Sequence, residues 1–232
     1  MCDEATKLHI KSPHTSTIVS VNTLTTPLRH QMAAPTCAIC NGSDARFCSS
    51  CHSISYCSPE CQKTDWPLHK TICKTLTTLP SRPSPSHKLA ILFPVDSKDP
   101  QLFWINCERR VDDEDGIAWE RPDTHPLLQT ENLDPEYQNA IEYKDITRNM
   151  LRGFSLSHTV RVICRETFLI DGSTPNICVR QTTRGKMTHD WRGPIVVMRQ
   201  PGTAIDPIFY EDISAADLRV AVDYFLSYGR GS

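Results

Sequence analysis

The chain has 232 residues, 39% of them hydrophobic, and a formal net charge of −2. That length fits one or two domains, and the near-neutral balance argues against a nucleic-acid binder, which presents excess positive surface to phosphates. No run approaches the roughly 18 apolar residues of a membrane span, and Asp3 and Glu4 stand where a secretory leader would be basic or apolar, so an intracellular protein of the nucleus or cytoplasm is expected.

Residues 1–35 are rich in Ser and Thr and show no sustained period, which predicts a disordered N-terminal arm. Residues 36–74 are of another kind. Seven cysteines and one histidine fall here as four close pairs: Cys37 with Cys40, Cys48 with Cys51, Cys57 with Cys61, and His69 with Cys73. Tetrahedral zinc takes four thiolate or imidazole ligands, usually from pairs two to four residues apart. Eight ligands supply two full sites, so two zinc ions per chain are expected. A disulfide framework would need an oxidising compartment. Spacing leaves two connectivities open. Consecutive pairs each close a site, or the pairs interleave as a cross-brace.

Ser58-Pro59-Glu60 reads as a helix start, with serine as N-cap and proline in the first turn. Asp65 reads as the cap of a second short helix, which puts His69 and Cys73 at i and i+4 on one face. Trp66 lies one turn before His69. As a bulky aromatic in a module with little apolar content, it is a candidate for that module's small core.

The string Tyr56-Cys57-x3-Cys61-Gln62-x3-Trp66-x2-His69-Lys70-x2-Cys73 closely resembles the MYND finger, and the resemblance spans residues 37–73. It implies the interleaved pairing. Cys37, Cys40, Cys57 and Cys61 would hold one zinc. Cys48, Cys51, His69 and Cys73 would hold the other. It also implies a groove for short proline-containing peptides of a protein partner, lined here by Ser49, Gln62 and Trp66. An aromatic wall suits a pre-ordered proline-rich segment. Four basic residues face three acidic ones in the finger, a formal +1. Seven thiolates and two zinc dications change that to −2. Protein rather than nucleic acid is the expected partner.

Residues 75–87 read as a Pro/Ser linker, and 88–232 as one α+β domain of unknown task. Strands are expected at Lys88–Val95, Gln101–Cys107, Val160–Arg165, Ile177–Thr182 and Pro194–Met198. The last is apolar on both faces and therefore central. A short helix is expected from Asp134-Pro135. Asp112–Asp115 reads as a solvated loop. Leu218, Ala221, Val222 and Phe225 give a helical stripe, started by a capping box of Ser214 and Asp217 and closed by Gly229. The stripe stands as a docking surface or as a core-facing one, and by general rule an amphipathic face is buried against a core. The stretch from His189 to Gly229 is similar to the tail of uncharacterised MYND proteins of filamentous fungi, which brings no known activity. Trp191 and Arg192 stand either as a recognition surface or as the entry to a buried strand.

The rival class is an enzyme with its site in 88–232. Some MYND fingers sit inside SET-domain methyltransferases, but no Asn-His pair occurs here and only 36 residues precede the finger, so that enzyme is not expected. Other catalytic signatures are missing too. His158 with Cys164, or His189 with Cys178, are the conceivable dyads, and lone residues of this kind are usually structural. The overall expectation is a non-enzymatic zinc-binding adaptor, with transcriptional regulation the commonest family setting. Zinc removal is expected to unfold residues 37–73 and to spare the strands of the C-terminal domain.

Overall fold

Six strands build the C-terminal sheet: β3 (His87–Phe93), β4 (Gln101–Val111), β5 (Ala118–Pro122), β6 (Ile141–Asn149), β7 (Phe154–Arg165) and β8 (Ile195–Pro201). Their order is β5-β4-β3-β8-β7-β6, with every neighbouring pair antiparallel. The computed structural model describes residues 35–205 and 208–230. Apart from Pro35, the arm read as disordered lies outside them. Ala34–Ser232 form one compact unit. No helix among the described residues is long and apolar enough to cross a membrane.

Strand β8 is central, as its apolar run requires. Ile195, Val196, Val197 and Met198 are all fully buried. Alternation along the strands separates two cores. Leu89, Ile91, Phe93, Val160, Val162, Ile195 and Val197 face one side, under helix α4 (Ala215–Ser227). Ala90, Ile105, Cys107, Ile163, Val196 and Met198 face the other, with Leu128 of the short helix α2 (His125–Leu128) and Tyr210. The stripe of α4 is core. Leu218, Ala221, Val222 and Phe225 are fully buried, and the Phe225 ring meets Phe93 edge-on at 5.1 Å.

The capping box forms, and it is larger than its local part. The Asp217 carboxylate accepts from Ser214 N–H at 2.6 Å and from Ser214 Oγ at 3.0 Å. It also accepts from His158 Nε2 at 2.8 Å and lies 3.5 Å from an Arg199 amino group. Burial pushes its pKa up, but the bonds and charges of His158, Arg199 and Ser214 outweigh that and hold it below the usual carboxylate range. A carboxyl lowered on folding stabilises the protein fully above its unfolded pKa of about 4, and the contribution is lost as pH falls through the folded value. The wild type is therefore expected to lose stability more steeply below about pH 4 than Asp217→Asn, with thermal melts across that range as the measurement.

Three expectations are corrected. Ile177–Thr182 is not a strand but helix α3, because Asn176 caps it by accepting from Val179 N–H at 2.8 Å. Its β-branched residues imitate a strand period over too short a window to decide. Asp134-Pro135 starts a turn rather than a helix. Tyr137 N–H reaches Asp134 C=O, and no apolar stripe follows to extend it. The two short helices of the finger are one, α1 (Pro59–Thr77), running through Pro67. Proline frees the Lys63 carbonyl, and both residues are exposed, so water pairs it. Of the two readings left open for Trp191, the structure supports the entry to a buried strand. The side chain is 2% exposed, stacked on Phe168 and packed against Phe225 and Tyr228.

Strands β5 and β6 carry weak periodicity and are not foreseen. The Asp112–Asp115 carboxylates turn back on their own loop, Asp112 accepting from Glu114 N–H and Asp115 from Ile117 N–H. The proline segment after α1 is pinned to the domain. Trp104 Nε1 donates to the Pro80 carbonyl at 2.9 Å, and Arg82 lies 4.9 Å over the Trp104 ring while pairing with Asp212.

Candidate metal centre

Two knuckles present the first four thiols in the same way. In each, the backbone of the first cysteine accepts from the residue four positions on: Asn41 N–H to Cys37 at 2.8 Å, and His52 N–H to Cys48 at 3.0 Å. Asn41 and His52 take φ of 58° and 51°, the left-handed turn that folds each pair of sulfurs onto one side. The two-residue strands β1 (Arg46–Phe47) and β2 (Ser55–Tyr56) then hold the knuckles against α1. Ser58 caps α1, its Oγ accepting from Cys61 N–H, and the helix supplies Cys61, His69 and Cys73.

The ligands gather as Cys37, Cys40, Cys57 and Cys61 in one cluster and Cys48, Cys51, His69 and Cys73 in the other. This is the cross-brace. Tetrahedral zinc–sulfur bonds of about 2.3 Å separate the sulfurs by about 3.8 Å. Cys57–Cys61 and Cys48–Cys73 lie at 3.7 and 3.9 Å, Cys40–Cys57 at 3.4 Å, and Cys51 Sγ to His69 Nε2 at 3.2 Å. Both donor sets fit one zinc ion each.

The thiols also show why a cation belongs there. For Cys37, burial raises the pKa, but hydrogen bonds from the Cys57, Cys40 and Ile39 backbone bring it down to about 7. Its partner Cys57 is pushed up to about 12 by the neighbouring thiols Cys40, Cys37 and Cys61. Cys51 is pushed up to about 12 by burial and then by the charges of Cys48 and Cys73. Four thiolates cannot share so small a volume by themselves. A dication removes that repulsion and releases the remaining protons.

Behind the second cluster runs a chain of buried groups. Tyr56 donates its hydroxyl proton to Asp65 Oδ2 at 2.6 Å. Having one proton, it accepts from His69 Nδ1–H at 3.1 Å. That assigns the tautomer and leaves the Nε2 lone pair for metal. Burial keeps His69 neutral, its pKa lowered. Burial and then the Asp65 bond raise the Tyr56 pKa. Asp65, 1% exposed, takes Arg219 of α4 at 2.6 Å on its other oxygen. Arg219 and Arg152 share Asp223, and Arg152 also donates to the Ile39 carbonyl at 3.2 Å. Ala215 N–H, an orphan donor at the start of α4, donates to Ser53 Oγ.

Asp65 was expected as a helix cap and is instead the joint between finger and sheet domain. A buried carboxylate flanked by Tyr56 and a ligand histidine was the available signal. Arg219 carried none. Trp66, expected in the finger's core, is 46% exposed, its ring T-shaped to His69 with centroids 5.7 Å apart. Gln62 and Ser49 are exposed as well. Of the remaining thiols, Cys107, Cys164 and Cys178 are buried. Cys2 lies outside the described residues. His158 is bonded to Asp217, and His189 packs among Phe168, Trp191 and Tyr228.

The MYND finger family model matches residues 37–73. SET domain-containing protein 14 of Caenorhabditis elegans is 49% identical over 35 residues, 15% of this chain and 8% of that protein. The zinc finger MYND domain-containing protein 10 homolog of Drosophila melanogaster is 45% identical over 38 residues, 16% of this chain and 8% of that protein. N-lysine methyltransferase SMYD2 of Mus musculus is 41% identical over 44 residues, 19% and 10% respectively. The chain thus spans about a tenth or less of the length of these relatives. No solved structure matches. Residues 37–73 are a MYND finger with two zinc sites, a zinc-binding interaction module.

Proposed function

We propose that the chain is a non-enzymatic adaptor whose finger recruits a protein partner through a proline-containing segment. The observation that carries this reading is the exposure of Trp66, at 46% in a helix otherwise anchored by metal ligands and core. An exposed tryptophan held in a T-shaped pair with His69 is a pre-oriented aromatic surface for a proline ring. Gln62 sits one turn before it on α1, and Ser49 lies in the second knuckle, both free to hydrogen-bond a peptide backbone. The finger's formal charge of −2 with zinc bound, counted from its residues, favours a protein partner over nucleic acid. A role in transcriptional regulation in the nucleus or cytoplasm follows from analogy with the family's commonest setting.

The methyltransferase SMYD2 matches 44 residues, 19% of this chain, a likeness too short to bring methyltransferase chemistry to the sheet domain by itself. In that domain the thiols of Cys164 and Cys178 are driven upward by burial, with Cys164 pushed up to about 12, which makes poor nucleophiles. These features support the adaptor over an enzyme.

Because Trp66 is outside the core, Trp66→Ala should keep both zinc ions and change stability by no more than about 0.5 kcal/mol. It should weaken capture of a proline-containing peptide by about 2 kcal/mol, roughly thirtyfold. Gln62→Ala and Ser49→Ala should each weaken it less. Calorimetry on a proline-peptide panel checks this, with metal analysis alongside. Wild-type binding by all three variants would remove the groove from these positions.

A further inference from the structure

At the end of the sheet where β3 and β7 finish and β8 begins lies a cavity of about 430 Å3, roofed by α2 and the turn after it. Its volume suits a small organic molecule. Arg165, the last residue of β7, lines it and is only 7% exposed. Strand alternation puts Arg161, Ile163 and Arg165 on the same face, and the two arginines differ sharply. Arg161 grips Asp145 with two bonds of 2.6 and 2.7 Å and donates to Tyr210 at 3.1 Å. Arg165 Nε has no partner among the described residues. The nearest carboxylate, Asp171, stands 3.6 Å from Nη1, beyond a good hydrogen bond. Both Asp171 oxygens are already engaged, one by Ser173 N–H at 2.9 Å and the Ser173 hydroxyl, the other by Thr167 Oγ1 at 3.1 Å.

A buried guanidinium whose Nε lacks a partner and whose nearest carboxylate stands at 3.6 Å is costly unless something else supplies acceptors. The surrounding loop is built to keep it in place. Gly193 has φ of +66°, and a Cβ there would lie 3.1 Å from Arg165 Nη2 and 3.2 Å from Ser173 Oγ. Asn176 holds that glycine's carbonyl at 2.7 Å, and Thr174 accepts from its N–H at 2.9 Å. With Nε enclosed, the terminal amino groups are the donors that face the cavity. The opposite wall is apolar, from Leu92, Leu127 and Leu133. Asp96 sits among the lining residues and Asp171 behind the guanidinium. Asp96 is exposed to solvent, and Asp171 at 3.6 Å already offsets the Arg165 charge, so a dianion is disfavoured and a monoanion would be held by hydrogen bonds to the fork rather than by excess charge. The other large cavity, about 500 Å3 beside α1, is rimmed by Lys70, Lys98, Arg184 and Lys186, all exposed. Those cations are satisfied by water.

We propose that the Arg165 cavity binds an aliphatic carboxylate, with the carboxylate on the Arg165 amino groups and the hydrocarbon against the three leucines. A planar fork reads a planar carboxylate well. The site is independent of the finger and of its groove. Its source is either a free small acid or the C-terminal residue of a peptide, which share this chemistry.

The test titrates the intact, zinc-loaded protein with isocaproate and with isocaproamide, the same shape without the charge. Amide resonances of Ser173 and Gly193 report occupancy. Isocaproate should bind in the millimolar range, and the amide at least about tenfold more weakly, since a charged bond is lost. Arg165→Lys should lose about tenfold by losing the fork. Should that variant be unstable, Asn132→Trp blocks the mouth from an exposed position and leaves Arg165 untouched. It should abolish the shifts. A tripeptide ending in leucine, free or amidated, separates the two sources. Equal binding of acid and amide, or unchanged isocaproate binding by Asn132→Trp, would overturn the proposal.

Discussion

Chelating the zinc should lower the melting temperature of the whole chain by more than about 15 °C, and not merely melt the finger. Structural zinc contributes about 10–16 kcal/mol to a small module, and about 1 kcal/mol moves the midpoint of a domain this size by about 2–4 °C. Even the lower ends of the two ranges, about 10 kcal/mol and about 2 °C for each, exceed the stated shift. The reason it reaches the sheet is packing. Leu68 and Ile72 of α1 belong to the same buried cluster as Leu89, Ile91 and Leu218. Unfolding the finger uncovers the α4 side of the sheet and leaves Arg219 and Arg152 without Asp65 and the Ile39 carbonyl. The expectation that metal removal spares the C-terminal strands took the metal's folding free energy to belong to the small finger alone. Far-UV circular dichroism with and without chelator measures the outcome. If β signal and melting temperature survive at a zinc content of zero, the shared core is not contributing as its burial implies.

The parts that could be read from the sequence are those whose chemistry is local. Ligand spacing depends on a few adjacent residues, so all eight ligands, and the pairing implied by the family resemblance, meet in the expected clusters. Ile195–Met198 and the α4 stripe were legible because each carries its burial in its own period. Ile177–Thr182 misled because its side chains suit a strand while Asn176, one residue outside, starts a helix. Asp65 misled because the rule for N-caps fits any aspartate before a helical stretch, and its true partners lie at Tyr56 and at Arg219, 154 positions away. The Arg165 cavity was invisible for the same reason. Val160–Arg165 reads correctly as a strand, yet the missing partner of its last residue appears only when Gly193 and Asp171 are brought beside it.

Breaking the joint at Asp65 should weaken one zinc site and the fold together. In Asp65→Ala, Arg219 keeps its charge in a pocket where its side chain is 12% exposed. Removing one partner of a buried pair costs about 3–5 kcal/mol, and the cost here falls at or below the lower end because Asp223 still lies 3.4 Å from Arg219. Tyr56 then loses the acceptor that orients its hydroxyl, and its hydroxyl no longer fixes the Nδ1–H tautomer of His69. Groups that orient a ligand from behind typically set metal affinity within about 10–100-fold. Competition with a chelator should therefore find the Cys48, Cys51, His69 and Cys73 site weakened by that factor. The Cys37, Cys40, Cys57 and Cys61 site, which the chain reaches only at its far end through the Ile39 carbonyl, should lose much less affinity. Arg219→Met separates the two effects. It removes the charge from α4 but leaves Tyr56, Asp65 and His69 in contact, so stability should fall while zinc affinity changes less. The double variant Asp65→Ala with Arg219→Met should recover part of the stability lost by Asp65→Ala alone, because no charge is left buried without a partner. Strict additivity of the two losses would mean that Asp65 and Arg219 act separately, and that the second zinc site and the sheet domain are neighbours without being coupled.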